Sequence, residues 1–514
     1  MTDHWLLTLP AAIPMVSLAL CTVLARHRRA QRIVSLTSSV GLLVASLALL
    51  AAVFDGTVLA TQFGGWRAPF GITFVADLFS AAMVVITGIM AVAVGVYGLV
   101  DRARRRERAL YHPLYQGLLL GVVGAFLTGD IFNMYVWFEI MLISSFGLLV
   151  IGGSREQLDG AVKYVALNLV ATTLFLLGVA FLYGATGTLN LAQLAGIVPT
   201  LENRGLVTAI AVLLVLAFGA KAAVFPLFFW LPAAYHTAAA PVVAIFAAML
   251  TKVGVYAMIR VVTLVFPGTA LISSIIGAIA IFTMVTGVLG AAAHYDVRRI
   301  LSFHIISQIG YMLFGLAIAT PLAVAGSILY VIHHIVVKAN LFLLAGVINR
   351  AAGSFDLKQI GGLVRSAPLV AALFVVPAFS LAGLPPLSGF WSKLVVIKAG
   401  FEAGHLVLAV TGLAVGVLTL YSMLKIWNEA FWKPQSELSR IAADRWRRYP
   451  VVRRTMLMPI AALAAITLTI GFAAEPFVEF STRAAAQLLA PEAYISAVLP
   501  ETAVAVESAS EIGR

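Results

Sequence analysis

The fold class the sequence predicts is an all-α polytopic membrane protein of about fourteen transmembrane helices, two of them broken. Three observations carry it. The 514 residues are 61% hydrophobic and only 11% charged, with a mean hydropathy of +1.01, more apolar than a soluble chain of this length. The apolar residues come in runs long enough to cross a bilayer. The segments between them alternate between basic and charge-poor, as topology signals do. The net charge of +12 therefore marks sidedness and not nucleic acid. With Cys21 as the single cysteine, an intramolecular disulfide or a cysteine-ligated cluster is excluded.

In chain order the apolar runs fall near 5–25, 33–54, 75–100, 111–128, 131–151, 159–184, 205–232 (broken), 239–266, 269–292, 300–317, 322–349, 366–400 (broken), 404–431 and 455–475. The start is not a cleavable signal, because Asp3 precedes the first run and Arg26, His27, Arg28 and Arg29 follow it. That order places the N-terminus outside. Of the 34 Lys and Arg residues, 22 then fall in inside loops and only Arg67, Arg204, Arg483 and Arg514 outside. The inside set includes Arg102, Arg104, Arg105, Arg106 and Arg108, and the stretch from Lys433 to Arg454. An even number of spans puts both termini outside. Beyond Ala474 no long apolar run remains, which predicts a short surface helix followed by a disordered end.

Two of the runs are interrupted. Between Phe218 and Arg260, Pro226 and Pro232 break the pattern, with Lys221 just before the break and Lys252 thirteen residues into the following run. Between Ser380 and Lys398 the pair Pro385-Pro386 breaks a second run, and Lys393 follows it. A kink alone needs only the prolines. A lysine at that depth costs roughly 2.5–3.5 kcal/mol on insertion scales, so a lysine beside each break suggests a path for charge. Interrupted helices in corresponding positions of two halves point to an inverted-repeat transporter.

The other buried charges extend that path. Glu139 lies about 12 Å into the helix that starts near Ile131, at 1.5 Å per residue. It reads either as a protonated packing residue or as a carboxylate paired with a lysine, with Lys221 as the candidate partner. Burial disfavours both charges and pairing restores them, so making and breaking the pair would switch the lysine between holding and releasing a proton. His334 and Lys338, four apart, share one helix face, and His304 lies in the preceding run. Lys163, Lys398 and Lys425 sit nearer run ends and read as snorkelling groups. Asp130 reads as a helix cap, Arg260 as an outer anchor and Asp296 as a partner for Arg298 or Arg299. No HExxH, carboxylate cluster or serine elbow is present, so the chemistry that fits is proton transfer and not hydrolysis; no enzyme activity and no cofactor are expected.

Five segments carry a family resemblance: GDIFNMYVWFEIMLISS around Glu139, AFGAKAAVFPLFFWLPAAYHTAAAPVVAIFAAMLTKVGVYAMIR, DVRRILSFHIISQIGYM, HHIVVKANLFLLAG and LAGLPPLSGFWSK. The chain resembles the proton-conducting, antiporter-like membrane subunits shared by Mrp cation/proton antiporters, respiratory complex I and membrane-bound hydrogenases. Within that family it looks most like the D-type branch of Mrp sodium/proton antiporter subunits. The resemblance implies fourteen helices with two inverted five-helix repeats, at 111–266 and 267–431, after N-terminal helices at 1–110 and before a basic loop, last helix and tail at 432–514. It implies that Glu139 and Lys221 form an ion pair, that Lys252 connects, that His334 and Lys338 form a central relay and that Lys393 is the terminal lysine. It also implies partner membrane subunits, H+ and Na+ as transported ions, and a bacterial-type plasma membrane.

Three other readings compete. A complex I-type subunit with lysine at the position of Lys393 is the nearest. A stand-alone solute transporter would use the broken helices for one midplane pocket, whereas the interior charges form an extended series. A haem anchor could use His304 and His334 as axial ligands but leaves the buried lysines unexplained.

Overall fold

A computed structural model describes residues 4–101 and 110–500. The basic cluster at Arg102, Arg104, Arg105, Arg106 and Arg108, the residue Asp3 and the end of the tail lie outside the described residues. Helices dominate. In order they are α1 (His4–Val23), α2 (Arg28–Val53), α3 (Leu78–Asp101), α4 (Tyr111–Leu127), α5 (Ile131–Val150), α6 (Arg155–Thr186), α7 (Leu191–Ile197), α8 (Arg204–Ala222), α9 (Trp230–Tyr235) and α10 (Ala240–Val265). Then come α11 (Ala270–Ala293), α12 (Val297–Ile318), α13 (Pro321–Ala352), α14 (Leu363–Ser366), α15 (Pro368–Ala382), α16 (Ser388–Glu402), α17 (Leu406–Ile426), α18 (Glu437–Arg448), α19 (Pro450–Phe472), α20 (Ala474–Leu489) and α21 (Glu492–Val498).

Among the described residues, 12 helices are long and apolar enough to cross a membrane. The two expected runs not among them are α4, of 17 residues, and the 366–400 run, which is split into α15 and α16 of 15 residues each. Their ends follow local chemistry. Ser154 and Gln157 form a capping box on α6, Asp296 caps α12 through the Arg298 and Arg299 N–H groups, and Thr320 followed by Pro321 starts α13.

The core is unevenly distributed. The apolar window of α10 is 100% buried and those of α12 and α13 are 94% buried, against 33% for α1 and α2. The ionisable residues expected on α10, α12 and α13 therefore sit at the centre of the bundle, not on its rim.

One small element accompanies the helices. In this all-α architecture β1 (Leu59–Gln62) and β2 (Thr73–Ala76) form a short antiparallel hairpin between α2 and α3, with Leu59 opposite Ala76. Four-residue strands are too short to register in a search for membrane-length runs, and their stability comes from tertiary burial, β2 being wholly buried. The hairpin packs at the same end as the α4–α5 turn and α7, through a bridge between Phe74 and Thr128 and another between Asp130 and Asn190. The tail joins this end as α20 and α21, where Arg483 donates to the Phe54 carbonyl and Gln487 accepts from the Leu78 N–H at 3.1 Å.

The basic loops gather at the opposite end. Arg350 pairs with Asp101 at 2.7 Å, Arg299 approaches His236 at 3.3 Å, Lys425 donates to the His294 carbonyl at 2.7 Å, and the Gly361 N–H donates to Ser439 at 3.2 Å.

Candidate functional site

Both breaks expose backbone carbonyls at a helix C-terminus, and each is closed differently. Helix α8 ends at Ala222, with Ala223 left-handed. The Trp230 indole donates to the Ala220 carbonyl at 3.0 Å, and the Val224 N–H donates to the Gly219 carbonyl at 3.0 Å. Helix α10 packs directly on this end, because a Cβ on Gly254 would fall 2.9 Å from the Phe218 carbonyl oxygen. Helix α15 ends at Gly383, whose φ of 92° suits only glycine. There Lys393 reaches back from α16 and donates to the carbonyls of Leu381 at 3.1 Å and Ala382 at 2.9 Å. A cation at the negative end of a half-helix is electrostatically favoured, and such ends hold coupling ions in other transporters.

Glu139 and Lys221 come together as expected. The Lys221 ammonium lies 3.9 Å from the Glu139 carboxylate, with side-chain exposures of 4% and 24%. The closer contacts run through Thr172 on α6, which donates to Glu139 at 2.7 Å and accepts from Lys221 at 3.2 Å. Sequence reasoning misses Thr172, since one threonine in an apolar run carries no signal before three helices meet around it.

Lys252, His334 and Lys338 form a second group, all buried. Lys252 donates to the Ala247 carbonyl and Lys338 to the Leu301 carbonyl at 3.3 Å, on the packed helices α10 and α13. The ring nitrogens of His334 and His304 have no hydrogen-bond partner among the described residues. Buried polar atoms of that kind are ordinarily satisfied by ordered water.

Lys393 forms the third group. Its ammonium sits 5.0 Å from the Tyr311 ring, Tyr311 stacks on Tyr330 at 5.1 Å, and Tyr330 stacks on His334 at 6.4 Å. His333 contacts the Ser388 hydroxyl at 2.8 Å, which in turn meets Ser380 at 2.8 Å. Tyr311, Tyr330, His333 and Ser388 are not among the site residues the sequence suggests. No hydrogen bond directly joins the three groups to one another among the described residues.

The residues read more plainly fall into local pairs and caps. Lys163 pairs with Asp159 and Lys398 with Glu402, both exposed, Arg298 pairs with Asp296 at 2.8 Å, and Asp130 caps α5 by accepting from the Asn133 N–H at 2.7 Å. Burial pushes the Asp130 carboxyl up to about 6. Arg260 does more than that reading asked: it is half of a buried, two-pronged ion pair with Asp77, at 2.5 and 2.8 Å. It is flanked by the Tyr256 and Tyr494 rings.

This geometry defines a polytopic membrane protein whose interior carries a series of lysines and histidines, with the Glu139 carboxylate, around two broken helices. The chain belongs to the NADH:quinone oxidoreductase/Mrp antiporter transmembrane family, whose model matches residues 128–419. It is 45% identical over 499 residues to the D-type subunit of the Na+/H+ antiporter of Alkalihalophilus pseudofirmus, covering 96% of this chain and 99% of that one. A chain in the structure of the Mrp complex from a Dietzia species superposes with a TM-score of 0.89 at 34% identity, covering 97% of this chain and 100% of the other. A chain of an archaeal membrane-bound sulfane sulfur reductase, a respiratory membrane complex, superposes with a TM-score of 0.87 at 26% identity, covering 96% and 99%.

Proposed function

We propose that this chain is the D-type subunit of a multi-subunit Na+/H+ antiporter and moves protons along Glu139, Lys221, Lys252, His334, Lys338 and Lys393. The observation that carries this reading is the placement of the three groups. Each is anchored at a helix break or on the most buried helices, and the histidine between them has unpartnered ring nitrogens. Intramembrane charges of this cost are retained for function, and water between the groups would complete a path. The near full-length similarity to an antiporter subunit of that type supports the pair of ions exchanged.

On this reading the chain works with other membrane subunits in a bacterial plasma membrane, as a transporter and not an enzyme. The basic end of the bundle faces the cytoplasm and both termini lie outside. Residues 111–266 and 267–431 are the two inverted repeats, each with one of the breaks. The respiratory reading keeps the same residues and changes only the energy source; the likeness to an archaeal respiratory complex favours it.

The test is sodium-driven proton movement in everted vesicles containing the assembled complex. Lys393→Ala abolishes exchange while assembly persists. Lys393→Arg abolishes it too, because a guanidinium does not release protons in the usable pH range. Full exchange by the arginine variant rules out a deprotonation step at that residue. Redox subunits co-purifying with the chain would move the assignment to the respiratory reading.

A further inference from the structure

At the basic end of the bundle, α18 lies against the end of α13 and the start of α19. Its buried stripe is Ser439, Ala443 and Trp446, while Arg440, Arg445, Arg447 and Arg448 are exposed. A cavity of about 480 Å³ opens between the three helices. One wall is polar and basic, made by Asn349 and Arg350 of α13 and Arg445 of α18. The other is apolar and aromatic, made by Trp446, Tyr449 and Val452.

The charges are unevenly used. Arg350 gives its Nε and Nη2 to Asp101 at 2.9 and 2.7 Å. Arg445 is in no ion pair among the described residues, and neither are Arg448, Arg453 and Arg454, although Asp444 is exposed next to Arg445. A topology signal requires positive charge in a loop and nothing more. It does not require an unpaired arginine in the lining of a cavity that also presents Trp446, Tyr449 and Val452, at the end of two long apolar helices.

We propose that this cavity binds an anionic phospholipid, its headgroup phosphate on Arg445 and the free edge of Arg350 and its glycerol and upper chains on Trp446, Tyr449 and Val452. Three features select the lipid over free phosphate. The cavity has an apolar wall that a phosphate ion cannot use. Tyr449 and Val451, 61% and 73% exposed, continue that wall outward along the start of α19. Tryptophan and tyrosine beside arginine are the side chains that settle at headgroup depth, and basic pockets between spanning helices take anionic headgroups. The inference is independent of which ions the chain moves.

The experiment uses the assembled complex in phosphatidylcholine nanodiscs doped with a photoreactive phosphatidylglycerol, with cross-links mapped by mass spectrometry. Cross-links are expected at 442–452, and a photoreactive phosphatidylcholine should label the same stretch several-fold less. Arg445→Gln lowers the phosphatidylglycerol cross-link about fivefold, the effect of one basic residue at an anionic surface. Ala442→Phe, which fills the cavity and leaves every charge in place, lowers it as well. Arg440→Gln, on the same helix but off the cavity, leaves it unchanged. Equal labelling by both lipids, or an Ala442→Phe cross-link at the wild-type level, overturns the proposal in favour of a diffuse charged surface. Displacement of the lipid by millimolar inorganic phosphate overturns it in favour of a free-phosphate site.

Discussion

Two ion pairs inside this bundle have the same formal chemistry and opposite construction. Arg260 and Asp77 meet in two contacts of 2.5 and 2.8 Å, both side chains about 5% exposed or less. The Ser80 N–H also donates to Asp77 at 2.9 Å, and Tyr256 accepts from Arg260 at 3.2 Å. Lys221 and Glu139 stand 3.9 Å apart with a threonine hydroxyl between them and the acid 24% exposed. The first pair has further hydrogen bonds on both partners. The second is held by one rotatable hydroxyl, and separating it leaves the buried Lys221 ammonium unpaired, which favours release of its proton. Charge type sharpens the contrast: a guanidinium stays protonated at any working pH, whereas an ammonium can give its proton up. The Arg260–Asp77 pair is thus a fastener between the start of α3 and α10, and the Lys221–Glu139 pair is the one suited to proton transfer.

The largest effect expected from breaking this comparison is at the fastener. Arg260→Leu strands the Asp77 carboxylate in the bundle, at a cost of about 3–5 kcal/mol. The amount of assembled complex on a blot should collapse, with no selective loss of exchange per complex. Asp77→Leu combined with Arg260→Met removes both charges and should restore assembly. If the single variant assembles normally, the pair is not a fastener.

Glu139→Gln should do the reverse. The complex assembles, because the shape is kept and the site lies at the edge of the bundle, but sodium-driven proton efflux falls by at least about tenfold. Glu139→Asp keeps the charge one methylene short and should retain partial activity, since a water can bridge the gap. Wild-type efflux by the glutamine variant would reduce Glu139 to a packing residue.

Thr172→Val tests whether the hydroxyl between the partners matters. It keeps the volume and removes one charge-assisted hydrogen bond at each side, so exchange should fall by about tenfold or less, with assembly intact. A loss as complete as that of Glu139→Gln would mean that Thr172 itself passes the proton.

The smallest effect is at Asp130, a cap whose carboxyl burial has pushed up to about 6. The folded state then binds protons more tightly than the unfolded one, whose carboxyl titrates near 3.8. Stability is greatest below that lower value and is lost as pH rises through about 6. Asp130→Asn keeps a capping side chain without the charge. Its melting temperature relative to wild type should therefore rise by a few degrees between acidic and neutral pH. An unchanged difference across that range would place the carboxylate in contact with solvent.

The run lengths, the two proline breaks and the alternating basic loops determined a great deal on their own. A bilayer-length apolar run must become a helix, because no other open structure satisfies its backbone in lipid. Prolines cannot continue one, and lysine is too costly at depth to be incidental. Lys221, Lys252, Lys338 and Lys393 were therefore visible one residue at a time. Which group each of them meets was not. Thr172 between Glu139 and Lys221, the Tyr311–Tyr330 stack between Lys393 and His334, and the pairing of Asp77 with Arg260 across 183 positions depend on how helices rotate and pack. So does the hairpin at 59–76. Hydropathy is a property of a segment and survives any rearrangement of the others. A hydrogen bond between helices is a property of two orientations at once, and only the packed bundle supplies both.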